Sequence, residues 1–231
     1  MHAWARRVAE DWPPEETEVT EGWHLGYAGG VTKRANSAVR LEPGASPETV
    51  ECFYRDRGLP AVVQVWPGME GLDRELAERG YERCGPSLVM ERHLTDTAGP
   101  GERFEVLSRP DGRWRALWSA EGASRRVARG QHRIMDRVPV MGYAVESSGA
   151  ARGCAALSGA TVGIYAMFTD PRERGRGLAG GIVGALLAWG RGEGAERAYL
   201  LVEEGNAAAR RVYERAGFAV VDRYHYRVLA R

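Results

Sequence analysis

The stretch Arg172-Glu-Arg-Gly-Arg-Gly-Leu-Ala-Gly-Gly181 follows a predicted strand, Thr161–Thr169, and precedes a predicted helix that runs to about Arg191. Glycines let backbone N–H groups approach an anion closely, and a helix N-terminus adds unpaired donors and the positive end of a dipole. Arg174 and Arg176 add cations that can hold a phosphate through two hydrogen bonds each. The stretch therefore predicts a binding loop for a pyrophosphate or a similar anion.

Other interpretations of the same glycines are weaker. The G-x-x-x-x-G-K-[ST] pattern of a nucleoside triphosphate loop is absent, because neither a lysine nor a hydroxyl residue follows. Gly175, Gly177 and Gly180 have the G-x-G-x-x-G spacing of a dinucleotide-binding turn, and Glu203 follows 23 residues later. However, five residues starting at Asp170 separate these glycines from the strand, and only 51 residues remain after Gly180. A glycine-rich helix start without a ligand is the remaining alternative.

Composition describes an ordinary globular chain of 231 residues, with 44% apolar residues, 27% charged residues and a net charge of +1. This balance predicts no nucleic-acid or membrane partner. The longest apolar-rich segment, Gly180–Gly190, is shorter than the roughly 20 residues that cross a bilayer, and the N-terminus lacks the apolar run of a signal peptide. We therefore expect a cytoplasmic protein.

Cysteines and histidines show no ligand-like grouping. The three cysteines are odd in number and have no C-x-x-C spacing, and the five histidines form no H-x-x-x-H pair. This scatter predicts neither a disulfide framework nor a metal site.

A polar stretch, Thr95–Glu102, predicts a linker between two domains, 1–97 and 98–231. Both parts close with a related pattern, at Leu72–Leu94 and at Ala209–Arg231: a short helix, Glu-Arg, a glycine before an aromatic residue, and an alternating strand. We interpret this repeat as duplication of one fold. Convergence on a common helix–glycine–strand connection is the alternative.

The predicted elements indicate an α/β protein (α+β, with a mixed sheet). Strands and helices alternate only in roughly the last seventy residues, whereas the earlier strands are expected to pair antiparallel. The predicted strands are Gly22–Gly29, Ala61–Trp66, Arg103–Leu107, Gly142–Ser147, Gly153–Leu157, Thr161–Thr169 and Ala198–Val202. The predicted helices are Glu48–Arg57, one opening at Asp111, one around Ser124–Arg133, and the helix that follows the glycine loop.

Two blocks of the sequence resemble the GNAT superfamily of N-acetyltransferases. Thr169–Ala179 is similar to the acetyl-CoA pyrophosphate loop of that family, whose pattern is [RQ]-x-x-G-x-[GA]. Val202–Phe218 resembles the family's V-x-x-x-N-x-x-A-x-x-x-Y-x-x-x-G-F block, and it follows at the expected distance. The resemblance is close over Ile164–Phe218 and faint in the N-terminal part. The matching positions are Arg174, Gly177, Ala179, Val202, Asn206, Ala209, Tyr213, Gly217 and Phe218.

The resemblance implies an acetyl-CoA-dependent N-acetyltransferase with a catalytic GNAT domain in its C-terminal part and a degenerate GNAT-like copy in its N-terminal part. The loop amides would hold the CoA pyrophosphate, and the preceding strand would pair with the pantetheine arm and leave an amide facing the thioester oxygen. Tyr213 would protonate the departing thiolate. The implied cofactor-binding residues are Ala166, Met167, Phe168, Arg174, Gly175, Arg176, Gly177, Leu178, Ala179, Gly180, Asn206 and Ala209.

The general base is open, because an amine nucleophile must lose a proton and Ala160–Thr169 contains no carboxylate. Glu146 and Glu203, on the neighbouring strands, are the candidates. A solvated strand-end role for both, with a water relay instead, is the alternative. Tyr213 and Asn206 also have purely structural explanations, as a packed aromatic residue and as a helix N-cap.

The acceptor is expected to be the primary amine of a small molecule. The arrangement resembles two-part actinobacterial GNAT proteins, one branch of which includes an N-acetylglutamate synthase, and this resemblance implies an amino acid. Arg34, Asn36 and Ser37 are the candidate substrate-binding residues, with a solvated turn as the alternative. Two other functions stay open, a non-catalytic acyl-CoA-binding or scaffold protein and a protein N-acetyltransferase. Both a monomer and a homodimer fit the sequence.

Overall fold

The computed structural model describes residues 1–95, 101–120, 122 and 124–230. Contacts divide the chain into two compact units. The first contains Met1–Leu88, Arg129–Arg137 and Arg223–Arg231, and the second contains Val89–Ala128 and Val138–Asp222. The predicted boundary between 97 and 98, and most of the predicted linker, lie outside the described residues. The division into two copies of one fold therefore stays a prediction.

Seven α-helices and eleven β-strands are found in the described residues. The helices are α1 (Ala3–Asp11), α2 (Pro47–Asp56), α3 (Glu70–Glu78), α4 (Gly112–Ala120), α5 (Arg125–Met135), α6 (Leu178–Gly192) and α7 (Ala207–Arg215). The strands are β1 (Glu16–Thr20), β2 (Trp23–Tyr27), β3 (Ala38–Arg40), β4 (Ala61–Val65), β5 (Glu82–His93), β6 (Phe104–Leu107), β7 (Met141–Glu146), β8 (Ala151–Ser158), β9 (Thr161–Thr169), β10 (Arg197–Glu203) and β11 (Ala219–Leu229).

The second unit confirms the predicted mixed sheet. Its strands follow the order β6-β7-β8-β9-β10, in which the first three neighbouring pairs are antiparallel and β9–β10 is parallel. Helix α6 is the crossover between the parallel strands, and it packs on β7, β8 and β9. Because the carboxyl ends of parallel strands meet at one edge of a sheet, β9 and β10 end there together, and α6 and α7 both begin there.

Packing explains the apolar stripe of α6. Leu178, Ile182, Ala185 and Leu186 are buried, as their helical spacing predicts. Trp189 completes the stripe and lies so close to Gly142 on β7 that a side chain there would collide with its ring. These five positions need no functional explanation.

The two related tails have the same local structure. Each has a helix of nine residues, α3 or α7, a left-handed glycine, Gly80 or Gly217, and then a long strand, β5 or β11. In both tails the N–H of the aromatic residue after the glycine donates to a carbonyl five residues back, with N···O distances of 2.9 and 3.0 Å, and closes a Schellman motif. The repeat therefore predicted the helix ends correctly.

The first unit contains three elements that the sequence patterns did not predict, α1, β1 and β3. Strand β1 has four exposed residues out of five, so it lacks the apolar alternation that marks a half-buried strand. Strand β3 has only three residues. The strand order is β1-β2-β3-β4-β11-β5, and β11 pairs antiparallel with β4. The core beneath these strands includes Trp23, Leu25, Val50, Tyr54, Val63, Leu72 and Leu76.

No helix in the described parts of the chain is long and apolar enough to cross a membrane. The most apolar one, α6, has 15 residues.

Candidate active site

The parallel strands β9 and β10 separate before they end. Their register pairs Arg197 with Thr161 and ends with Leu200 opposite Ile164, although β9 continues to Thr169. Beyond Ile164, no β9–β10 ladder pair is found among the described residues. The β10-facing edge of the last five residues of β9 therefore keeps backbone groups that an extended ligand can pair with.

A β-bulge lies on β9 directly after this separation. Ala166 has a φ of +50°, and the β8–β9 register shifts between Arg152 and Cys154. Neither Ala166 nor Met167 has a partner in that register, so the two residues lie opposite Gly153. A Cβ at Gly153 would lie 2.5 Å from the Met167 Sδ and 2.9 Å from the Ile182 Cγ2, so a larger residue beneath the bulge would displace both side chains.

The glycine loop joins the bulged strand to α6. Asp170 caps a short 3-10 turn, Pro171–Glu173, by accepting a hydrogen bond from the Arg172 N–H at 2.9 Å. Gly175 and Gly177 follow with φ angles of +78° and +77°, a conformation that L side chains rarely adopt. A Cβ built at either glycine would meet no protein atom within 4 Å. The Cβ side of both glycines therefore faces open space at the N-terminus of α6, where an anion would meet unpaired N–H groups.

The side chains around the loop differ in exposure. Arg174 and Arg176 are exposed, and Arg176 forms an ion pair with Glu173 inside the loop. Leu178 is buried in the core, so only its backbone amide can contribute to an anion site. The structure places the predicted loop residues together at one helix start, and their role in binding CoA stays a prediction.

Asn206 has the structural role that the N-cap alternative describes. Its side-chain Oδ1 accepts a hydrogen bond from the Ala209 N–H at 3.1 Å and caps α7. Asn206 is exposed, and its side-chain NH₂ donates no hydrogen bond to another described residue. The cap and a contact with the cofactor arm are therefore compatible.

Tyr213 lies two turns along α7, packed edge-on against Phe218 with 6.3 Å between ring centroids. Its side chain is 8% exposed. Burial raises the pKa of the Tyr213 hydroxyl to about 12, because the charged phenolate loses its hydration. No hydrogen-bond partner of this hydroxyl is found among the described residues. Tyr213 is therefore a protonated donor at neutral pH, with its proton not engaged by another described side chain.

Glu146, at the end of β7, is held as an ion by the hairpin that follows it. Burial alone would raise its pKa, but hydrogen bonds from Ser148, Arg103 and the Ala150 N–H lower the pKa to about 2. Its carboxylate is 1% exposed and contacts Arg103 at 3.0 Å. A carboxylate with so low a pKa is a weak base at neutral pH. These bonds give Glu146 a structural role, the closure of the β7–β8 hairpin.

Glu203, the other candidate base, ends β10 at the edge where β9 and β10 have separated. Its side chain is exposed, and its backbone carbonyl accepts the Asn206 N–H at 2.9 Å. Position and exposure favour Glu203 over Glu146 as a group that can exchange protons with an incoming amine.

The candidate acceptor residues Arg34, Asn36 and Ser37 all belong to the first unit. Asn36 is buried, and its amide binds only its own loop, with Oδ1 accepting from Ala28 and Gly30 at 2.7 and 2.8 Å. The Ser37 hydroxyl accepts from the Gln64 side chain at 2.8 Å. These bonds explain Asn36 and Ser37 as loop-shaping residues, and their contact with an acceptor stays a prediction.

Arg152 is a site residue that the sequence patterns missed. It is 1% exposed, it lies on β8 beside the bulge, and its guanidinium donates a hydrogen bond to the Ala166 carbonyl. The available signal was a charged residue inside a strand of small and apolar residues, Ala151–Ser158, where a charge is unusual.

The described residues contain no group of three or more His, Cys, Asp or Glu side chains that could hold a metal ion. The three cysteines are free thiols.

The separated parallel strands, the bulge and the glycine loop lie in a fold that solved GNAT acetyltransferase structures share. A solved structure described as a GCN5-related N-acetyltransferase from Kribbella flavida has the same fold, with a TM-score of 0.68 at 17% sequence identity, and the likeness covers 100% of this chain and 97% of that one. A family model described as "Probable histone acetyltransferase Rv0428c C-terminal" matches residues 3–227. The chain belongs to this family and is an acyltransferase.

Two relatives cover most of the chain. An uncharacterized N-acetyltransferase, YobR of Bacillus subtilis (strain 168), is 28% identical over 238 residues, which is 96% of each chain. The probable histone acetyltransferase Rv0428c of Mycobacterium tuberculosis is 28% identical over 213 residues. That match spans 88% of this chain and 66% of the relative.

The low pKa of Glu146 predicts a pH-dependent contribution to stability. The folded-state pKa of about 2 lies below the ordinary value of 4.5, so the stabilisation is complete above the ordinary value and is lost as the pH falls toward 2. We expect Glu146→Gln to lower the free energy of unfolding at pH 7, and the difference from wild type to shrink between pH 5 and pH 2, as measured by urea denaturation.

Ser148→Ala tests the cause of that pKa. The substitution removes a hydroxyl donor to the Glu146 carboxylate and so raises its folded-state pKa. The loss of stability should still begin near the ordinary pKa, but it should be smaller and end at a higher pH than in wild type. A Glu146→Gln difference that stays constant from pH 7 to pH 2 would contradict the assignment.

Proposed function

We propose that this acyltransferase moves the acetyl group of acetyl-CoA to the primary amine of a small molecule by direct attack. The observation that carries the proposal is the bulged, separated end of β9 beside the open glycine loop of α6. Together they supply one edge for an extended amide-containing arm and one helix N-terminus for a pyrophosphate. GNAT acetyltransferases use acetyl-CoA, whose thioester carbonyl is the activated acyl donor.

Residues of the second unit account for binding. The Cβ sides of Gly175, Gly177 and Gly180 face open space at the N-terminus of α6. The N–H groups of this loop and the helix dipole would bind the pyrophosphate there, and Arg174 adds a cation. Backbone groups of Ala166, Met167 and Phe168 lie on the β9 edge that β10 leaves unpaired. Asn206, which caps α7, is placed at the same edge by the parallel topology and keeps a side-chain NH₂ to donate.

Tyr213 is the proposed general acid. Because burial raises its pKa to about 12, the hydroxyl stays protonated throughout the pH range in which an amine is nucleophilic. The proton passes to the sulfur as the C–S bond breaks. The same lack of water that raises the phenol pKa also raises the basicity of a thiolate formed there, which favours the transfer.

The amine loses its proton to Glu203 or to a water relay. Glu203 is exposed at the end of β10, and Glu146 is excluded from our proposal because its pKa of about 2 makes it a weak base. The amine nitrogen forms a bond to the acetyl carbon, and the products are an amide and the free thiol.

A second acceptor class is supported by the relatives. The matching family and one 28%-identical relative are described as probable histone acetyltransferases. A lysine side chain of a protein is also a primary amine, so the same chemistry fits a protein acceptor.

The test is thiol release from acetyl-CoA across a panel of amino acids, polyamines, aminosugars, a lysine-rich histone-tail peptide and the corresponding acetylated peptide. We expect release with a small amine and faster turnover than with the peptides. Turnover limited to the unacetylated peptide would establish the protein-acceptor alternative. Cofactor binding without release on any amine would instead support a non-catalytic acyl-CoA-binding protein.

Gly177→Ala separates ligand binding from backbone strain. Gly177 and Gly194 lie just outside the two ends of α6, both have positive φ, and a Cβ at either meets no protein atom within 4 Å. Alanine at either position should therefore lower the free energy of unfolding by about 1 kcal/mol. Only Gly177→Ala should also raise the Kd for CoA, by about tenfold, in calorimetric titration. Equal CoA affinity in the two variants would remove the loop from the cofactor site.

Tyr213→Phe removes the proposed acid without removing packing. We expect kcat to fall by about 10²-fold, with an unchanged Kd for CoA and little change in stability, because the hydroxyl has no described protein partner. Tyr54→Phe is the control, since the Tyr54 hydroxyl donates to the Gly26 carbonyl at 2.7 Å in the first unit. This control should lose about 1 kcal/mol of stability and keep kcat. Full kcat in Tyr213→Phe would exclude Tyr213 as the acid.

A further inference from the structure

Arg152 is a fully buried cation in the second unit. Its side chain is 1% exposed and is stacked among three aromatic rings. The guanidinium carbon lies 3.9 Å from the ring centroid of Trp118, 4.9 Å from Trp114 and 5.6 Å from Phe168. Cation–π contacts stabilise a desolvated arginine and fix its plane. The ring cage therefore presents the guanidinium in one orientation.

In that orientation the guanidinium forms a hydrogen bond with the bulge of β9. Arg152 donates through Nη1 to the carbonyl oxygen of Ala166, the residue with a φ of +50°. A left-handed alanine costs on the order of 1–2 kcal/mol, so it persists only where neighbouring contacts hold it. The Arg152 hydrogen bond is such a contact. Trp114 adds a second one, because its indole N–H donates to the Gly153 carbonyl at 2.9 Å opposite the bulge.

The peptide bond between Ala166 and Met167 also fixes the direction of the Met167 N–H. The chain has no cis peptide among its described residues, so the Ala166 C=O and the Met167 N–H point in opposite directions. With the carbonyl directed at Arg152 of β8, the Met167 N–H points away from β8. The strand on the other side of β9 is β10, whose pairing with β9 has already ended at Ile164. The amide of Met167 is thus a donor directed at the opening.

The positive charge of Arg152 also strengthens the Met167 amide as a hydrogen-bond donor. A cation on the Ala166 carbonyl oxygen withdraws electron density from the peptide group and strengthens its N–H as a donor. A strong, fixed donor is most valuable where negative charge develops during the reaction.

We propose that Arg152 is a positioning residue for acyl transfer: it holds Ala166 in its left-handed conformation and thereby directs and polarises the Met167 amide toward the thioester oxygen. The inference rests on the proposed function, since only an acyl donor supplies that oxygen. It adds to that function the residue that orients the Met167 amide donor. It also predicts that this residue affects kcat and not the affinity for CoA.

Arg152→Met tests the proposal by kinetics. Methionine keeps an apolar side chain of similar length in the ring cage and removes the charge and the donor. We expect kcat to fall by about 10²-fold, the typical loss on removing one such donor, while the Kd for CoA stays within about twofold of wild type. Arg152→Lys restores a cation and a donor and should recover part of kcat. The matched control is Arg227→Met, which removes an arginine that donates to the Tyr81 carbonyl in the first unit and should keep kcat.

A spectroscopic readout tests the Met167 amide directly. Methionine-selective ¹⁵N labelling marks only six methionines, and Met167→Leu assigns the signal of interest. In wild type we expect the Met167 amide proton to shift downfield with acetyl-CoA relative to CoA, because only acetyl-CoA carries the carbonyl acceptor. In Arg152→Met this acetyl-dependent difference should disappear. If that variant does not fold, Arg152→Met/Ala166→Gly provides the comparison, since glycine adopts positive φ without strain.

The outcomes separate the two proposals. Suppose that wild type turns over and shows an acetyl-dependent Met167 shift. A kcat in Arg152→Met within threefold of wild type would then overturn the role of Arg152, and the proposed function would still stand. An acetyl-dependent shift of equal size in wild type and Arg152→Met would overturn the role of Arg152 as well. If wild type releases no thiol with any amine but shows a Met167 shift that Arg152→Met loses, the proposed function fails and the assignment of the amide donor stands. Equal losses of kcat and CoA affinity in Arg152→Met, not recovered by lysine, would show a structural role only.

Discussion

The separation of β9 from β10 beyond the Ile164–Leu200 pair is the constraint on which the site depends. A parallel pair that stayed bonded to its carboxyl ends would leave no strand edge for a ligand. The bulge at Ala166 strengthens this separation, because an extra residue opposite Gly153 bends β9 and increases its local twist. Gly153 lies opposite the bulge, and its missing side chain leaves room for Met167. The edge, the glycine loop and both helix N-termini then meet at one end of the sheet.

Local structure and ligand chemistry share residues at this edge. Asn206 caps α7 and still keeps a donor, and Gly177 is the N-cap of α6 with open space on its Cβ side. Such double use follows from the unpaired N–H groups that every helix start contains, which either a cap or an anion can satisfy. Glu146 shows the opposite case. Its carboxylate accepts hydrogen bonds from the β7–β8 hairpin and from Arg103, and the resulting low pKa makes it a weak base.

The parts of the fold that the sequence predicted well are local. The two helix–glycine–strand tails, the stripe of α6 and the glycine loop were correctly located, since each depends on residues within a few turns of one another. The missed elements lack such a signal: β1 exposes most of its side chains, and β3 is only three residues long. Among the candidate site residues, Asn36 and Glu146 were polar residues in plausible places, and hydrogen bonds explain their burial.

The sequence by itself determined the family and the location of the glycine loop, because glycine spacing, Asn206, Tyr213 and the tail glycine are properties of short segments. Only the tertiary structure decided what Arg152 contacts. In the sequence it is one of many arginines in a chain with 32 basic residues. Its burial depends on two tryptophans of α4 and a carbonyl 14 residues away on the neighbouring strand. Contacts between separate elements form only when the sheet and helix pack, so no local pattern encodes them.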